Sequence, residues 1–161
     1  MTLKKGGDDV KRYRFPRGSA ALRTLFEAGH IPECADFAGS WTVRMLTGPV
    51  PDFSWIGHCK DFPPYRDGSA FFGNNRALGF VRFGWFRVLE SSPESPFITL
   101  DYANGERRNL VFGAMRDRLR VVESGVMIGG YYFQKAGALR FAGWFALERK
   151  PARKASSPTA R

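Results

Sequence analysis

Phe37-Ala38-Gly39-Ser40-Trp41-Thr42-Val43-Arg44-Met45 carries the strongest architectural signal in the chain. Trp41, Val43 and Met45 alternate with Thr42, Arg44 and Leu46, so the period is two, with one apolar and one mixed face. Gly39 lets the backbone bend or pass closely, and Trp41 is large enough to plug the end of a small barrel.

The same period recurs downstream. Gly48-Pro49-Val50-Pro51-Asp52 breaks the chain before a strand over 53–62, and Pro63-Pro64 with Asp67-Gly68 marks a turn. A strand over 69–73 follows, and Asn74-Asn75 reads as the next turn. Residues 80–89 form the longest aromatic strand. Val81, Phe83, Trp85 and Leu89 share one parity and Phe80, Phe86 and Val88 the other, which predicts apolar surroundings on both faces. A strand over 97–102 runs into Asn104-Gly105, the best two-residue hairpin signal. Residues 110–115 read equally as strand or helical turn, and 118–123 alternate again. After the Ser124-Gly125 turn, a strand over 126–134 carries Gly129-Gly130, which suits a bulge or bend and not a phosphate loop. Past Gly137, Leu139, Phe141, Gly143, Phe145 and Leu147 alternate with Arg140, Ala142, Trp144, Ala146 and Glu148. That pattern predicts one buried and one largely exposed face.

Upstream, Ser19 is a candidate N-cap for a short helix with Leu22, Leu25 and Phe26 on one face. Gly29 is placed for a left-handed C-cap, and the helix is expected to lie across an open end of the barrel. No βαβ alternation is present. The fold class is therefore all-β: an antiparallel up-and-down barrel of about eight to ten strands with a short N-terminal helix. Residues 1–17 are expected to be a flexible basic lead-in, 18–150 a single barrel domain, and 151–161 a disordered basic tail.

Among the 161 residues, 43% are hydrophobic, 15% aromatic and 25% charged, which excludes a disordered chain. A net charge of +10 raises nucleic acid or an anionic membrane surface as partners. Much of that charge sits at the two ends, so solvated tails explain it more simply than nucleic-acid binding. Cys34 and Cys59 fall short of a disulfide framework or paired zinc motif. The first residues lack the apolar core of a signal peptide, and no apolar run reaches a helical membrane span. A soluble, cytoplasmic protein without metal or cofactor is expected.

Phe37-x-Gly39-x-Trp41 resembles the opening of lipocalins and fatty-acid-binding proteins, members of the calycin barrels. The resemblance implies that Trp41 packs at the barrel end under a basic residue of the last strand, for which Arg149 or Arg140 is available. Phe37, Gly39, Trp41 and Arg149 are thus implied structural residues. Leu100-Asp101-Tyr102 is similar to a Thr-Asp-Tyr element of lipocalins, with Leu in place of Thr. The span 22–149 also resembles an uncharacterised group of bacterial lipocalin-like proteins. Its phrases are Arg82-Phe83-Gly84-Trp85-Phe86-Arg87-Val88, Leu100-Asp101-Tyr102 and Met115-Arg116-Asp117-Arg118-Leu119-Arg120. The Arg-x-Tyr carboxylate clamp of fatty-acid binders is missing. The Gly-x-Trp-x-Gly pattern of haem-binding nitrobindin-like barrels is broken at Val43, and no His follows His58.

These features point to burial of a small apolar or amphipathic molecule against Phe83, Trp85, Phe141 and Phe145. Arg82, Arg87 or Arg120 is the candidate partner of an acidic head. Arg82 and Arg87 read equally as side chains snorkelling over their aromatic neighbours. The alternatives are a small barrel enzyme of isomerase or cyclase type, or a basic protein of nucleic-acid or membrane surfaces. In the enzyme reading Asp101, Tyr102 or Asp117 is the acid or base. Asp117 shares parity with Leu119 and Val121, and a buried carboxylate there calls for an Arg partner. His58, beside Lys60 on one parity, reads as an ordinary surface or hydrogen-bonded residue.

Overall fold

The computed structural model describes residues 12–149. The tail at 151–161, Lys150 and residues 1–11 of the expected lead-in lie outside the described residues.

Eight strands run β1 (Gly39–Met45), β2 (Cys59–Phe62), β3 (Phe71–Ala77), β4 (Val81–Leu89), β5 (Ile98–Asp101), β6 (Met115–Glu123), β7 (Val126–Lys135) and β8 (Ala138–Arg149). Each pairs antiparallel with the next, and β8 returns to β1, so the sheet is a closed up-and-down barrel. The closing ladder aligns Trp41 with Arg149, Val43 with Leu147 and Met45 with Phe145. Closure leaves no free edge for these apolar strands to present to another chain.

One end of the barrel is filled. Phe37, Trp41, Phe62, Phe71, Phe86, Val88 and Leu147 are all buried in one cluster there. Trp41 donates its indole N–H to the Phe37 carbonyl at 2.8 Å. The Arg149 guanidinium lies 4.4 Å from the Trp41 ring centroid and donates to the carbonyls of Asp36 and Ala38. The loops joining β1–β2, β3–β4, β5–β6 and β7–β8 all lie at the opposite end, because consecutive strands alternate in direction.

The helix α1 (Ser19–Ala28) does not lie across an end. It packs on the outer wall against β6, β7 and β8. Leu22 and Phe26 join Ile128 and Trp144 in a second apolar cluster outside the barrel. Ser19 is the first helical residue, and its Oγ accepts the Trp144 indole N–H at 2.9 Å instead of capping the helix. Gly29 has an extended backbone, φ −68°, not a left-handed one. Its orphan-carbonyl role falls to Arg120, which donates to Glu27 O at 2.7 Å and to Gly29 O at 3.3 Å. Phe15, within the stretch read as lead-in, packs on this outer cluster.

Two bulges correct the parity read from the sequence. Between the pairs Gly73–Phe86 and Asn75–Phe83, β4 carries one extra residue around Gly84, whose φ is +51°. Phe83 and Phe86 therefore both face inward, and Trp85 faces out beneath Arg107. Between Tyr131–Gly143 and Tyr132–Phe141, β8 carries the extra residue Ala142. Phe145 stays inside, whereas Phe141 turns out against Trp144. The outer face of β8 is thus not exposed: Trp144 and Ala146 are buried there.

Two turn expectations also change. Asn74-Asn75 lies inside β3, and the turn falls at Leu78-Gly79, both with positive φ. Asn104-Gly105 opens no tight hairpin, since thirteen loop residues (102–114) separate β5 from β6. Gly129 sits where a side chain has no room: a Cβ there meets the Phe145 ring and comes within 2.7 Å of Leu119. Gly129→Ala is expected to destabilise the protein by about 1–3 kcal/mol through overpacking, read as a lower denaturation midpoint in guanidinium.

Candidate functional site

The open half of the barrel encloses a cavity of about 200 Å³. Val43, Met45, Phe83, Phe112, Met115, Phe133 and Phe145 form its walls, and Val50 and Val111 stand at its mouth. Tyr131 steadies that mouth by donating to Thr47 O at 3.2 Å and accepting from Val50 N at 3.4 Å.

Toward the filled end the wall becomes polar. Lys60, Asn75, Tyr102, Asp117 and His58 come together from β2, β3, the residue after β5, β6 and the residue before β2. Inward parity places Lys60 beside Phe62, Asn75 beside Gly73 and Ala77, and Asp117 beside Met115 and Leu119. The Lys60 ammonium has three N–H bonds and three acceptors. Nζ lies 2.9 Å from Asn75 Oδ1, 2.5 Å from the Tyr102 hydroxyl and 3.2 Å from Asp117 Oδ2. Tyr102 passes its own proton to Asp117 Oδ2 at 2.9 Å. The aromatic rings of Phe86, Tyr102 and Phe145 each lie within about 5.5 Å of the ammonium.

Burial pushes the Lys60 pKa down, while the Asp117 charge and hydrogen bond oppose the shift. Burial also raises the Tyr102 pKa well above its usual value, with the Asp117 charge adding to the rise, so Tyr102 stays a neutral phenol.

The hydrogen bonds around Asn75 set the His58 tautomer. Asn75 Nδ2 donates to the Gly84 carbonyl at 2.9 Å, so its Oδ1 is an acceptor. His58 Nε2, 3.1 Å from that Oδ1, must carry the proton. The neutral ring's other nitrogen, Nδ1, is a buried acceptor without a partner, and so is Asp117 Oδ1. Burial, reinforced by the neighbouring Lys60 charge, pushes the His58 pKa down to about 4.

Of the candidates read from the sequence, Phe83, Phe145, Tyr102 and Asp117 line this cavity. Asp117 meets Lys60, not the Arg expected. Asp101 faces away, held by Arg116 Nε at 3.0 Å and by the Ala103 and Asn104 nitrogens, where it clamps the start of the β5–β6 loop. Arg82 and Arg87 are exposed on the outer surface. Arg120 also sits on the outer wall, on the helix carbonyls and Pro96 O. None of these arginines reaches the interior. Trp85 and Phe141 lie outside as well, for the bulge reasons given above. His58, Lys60 and Asn75 are the cavity residues the sequence reading missed as a group. Their signal was the shared parity of His58, Lys60 and Phe62, combined with an inward carboxylate that needed a cation.

Among the described residues no helix is long and apolar enough to cross a membrane, and no three His, Cys, Asp or Glu side chains gather in a way that could hold a metal ion. Comparison with protein-family models, with curated proteins and with solved structures gives no match.

Lys60→Met strands a buried carboxylate and is expected to cost about 3–5 kcal/mol, most of it recovered in Lys60→Met/Asp117→Leu; equilibrium denaturation measures both. His58 supplies a pH signature. The unfolded chain takes up its proton near the ordinary 6.5, whereas the folded ring resists until about 4. Stability is therefore expected to fall by about 3 kcal/mol as pH drops through that window, and the loss is expected to shrink in His58→Phe.

Proposed function

We propose that the barrel binds a small, mainly apolar molecule in this cavity, in the manner of the lipocalin-like proteins its opening motif and strand topology resemble. The observation that carries the reading is the cavity itself: apolar walls, one filled end, and an opening between loops. An apolar protein cavity of about 150 Å³ holds benzene, so a space of this size suits a body of one or two rings.

The polar wall selects the head of such a molecule. Lys60 is already committed inside the barrel, hydrogen-bonded to Asn75 and Tyr102 and ion-paired with Asp117, so its charge is not free for an anion. The atoms left without partners, Asp117 Oδ1 and His58 Nδ1, are both acceptors on side chains that line the cavity. A hydroxyl or amine reaching them satisfies a buried group, whereas a carboxylate adds repulsion. These two acceptors favour apolar alcohols, phenols or amines over fatty acids as ligands.

Three probes sharing one ring system test this: 2-naphthol, 2-methoxynaphthalene and 2-naphthoate, titrated by calorimetry. The naphthol is expected to bind about tenfold more tightly than its methyl ether, as one hydrogen bond to a charged acceptor allows, and the naphthoate most weakly. Equal affinity for all three sinks the head-group preference. Failure of all three to bind sinks the cavity reading as well.

A further inference from the structure

The surface around the cavity mouth has a second character. Among the described residues, all the exposed large hydrophobic side chains except Ile31 and Leu89 sit at this end of the barrel, on its loops or the adjoining strand ends. Four are almost bare: Leu110 is 86% exposed, Trp55 81%, Val111 80% and Phe80 79%. They come from three separate connections, β1–β2, β3–β4 and β5–β6, and Leu139 adds a fourth at the start of β8. Backbone bonds tie the β1–β2 loop to the β3–β4 turn, and the end of the β5–β6 loop to β7. Leu78 N donates to Ile56 O at 2.9 Å, and Gln134 N donates to Ala114 O at 2.7 Å.

The same end is basic. Arg82, Arg107, Arg108, Lys135 and Arg140 are exposed there, against the acids Asp52 and Glu106. Asp52 is already occupied, accepting from Met45 N, Ser54 N and Ser54 Oγ. Apolar tips standing on separate loops around an opening do not form one flat face for a folded partner. A fluid surface can surround each tip individually, and an anionic one complements the basic side chains between them.

We propose that the mouth end of the barrel docks on an anionic lipid surface. Trp55, Phe80, Leu110 and Val111 enter the boundary between headgroups and acyl chains, and the five basic side chains lie against lipid phosphates. Docking turns the cavity opening toward the bilayer, the phase in which apolar molecules concentrate. The docking does not rest on the cavity's ligand, because vesicle binding and naphthol binding are separate readouts.

Co-sedimentation of the full chain with vesicles tests the proposal, using phosphatidylcholine alone or mixed with phosphatidylserine. Binding is expected to be about tenfold stronger on the mixed vesicles and to weaken several-fold as salt rises from about 0.05 to 0.2 M. Trp55→Ser/Phe80→Ser is expected to lower the affinity about tenfold at unchanged thermal stability, and Arg107→Glu/Lys135→Glu to remove the phosphatidylserine preference. Binding undiminished in both variants belongs to the basic chain ends and overturns the proposal, as does absence of binding. A concentration-dependent dimer that Trp55→Ser/Phe80→Ser dissolves without vesicles overturns it too, because a second copy then covers the rim.

Discussion

The ladder between β8 and β1 is the constraint on which everything else depends. It joins the two ends of the barrel sheet, from Gly39 to Arg149, and converts an open sheet into a wall with an inside. Without it, β1 and β8 would each present unpaired N–H and C=O groups beside apolar side chains, an arrangement prone to aggregation. The ladder is secured where it ends. Trp41 lies under Arg149, and Arg149 is tied to carbonyls of the segment that leads into β1. The connection from helix to barrel is thereby fastened to the last strand, so the two chain regions that must meet are locked by one cation–aromatic contact and its hydrogen bonds.

Closure forces a choice about what fills the interior, and this barrel makes different choices at its two ends. Phenylalanine and Trp41 pack the closed end solid. Midway, the fill becomes a buried ion pair with a phenol, an amide and an imidazole around it. Such a network gains little over well-packed apolar side chains, because desolvation offsets most of the attraction. Its persistence beside the cavity, with two acceptors left over, is the physical basis of the proposed ligand preference. The bulge at Gly84 belongs to the same network, since it aims the Gly84 carbonyl at the Asn75 amide and so sets the direction of every donor that follows.

Most of the architecture was legible. The period-two runs, the Phe37–Trp41 opening and the absence of βαβ units led directly to a closed antiparallel barrel with one short helix. Errors clustered where an extra residue enters a strand. Strict alternation points Trp85 and Phe141 inward, and a single bulge in each strand reverses that count. Asn74-Asn75 has the composition of a turn, yet Asn75 is held inside β3 by Lys60, His58 and Gly84. Here tertiary partners override local preference.

Alternating hydrophobicity, a property of neighbouring residues, determines the fold class and the antiparallel order, but not the lining where a bulge enters a strand. The candidate site depends on residues far apart in the chain. Lys60 on β2 and Asp117 on β6 lie four strands apart around the barrel, and only closure across the interior sets them 3.2 Å apart. The same holds for the rim, where Trp55, Phe80 and Leu110 are ordinary loop residues in sequence and neighbours around one opening in space. Periodicity specifies which way a side chain points only between bulges, and which side chains it meets is a property of the closed barrel.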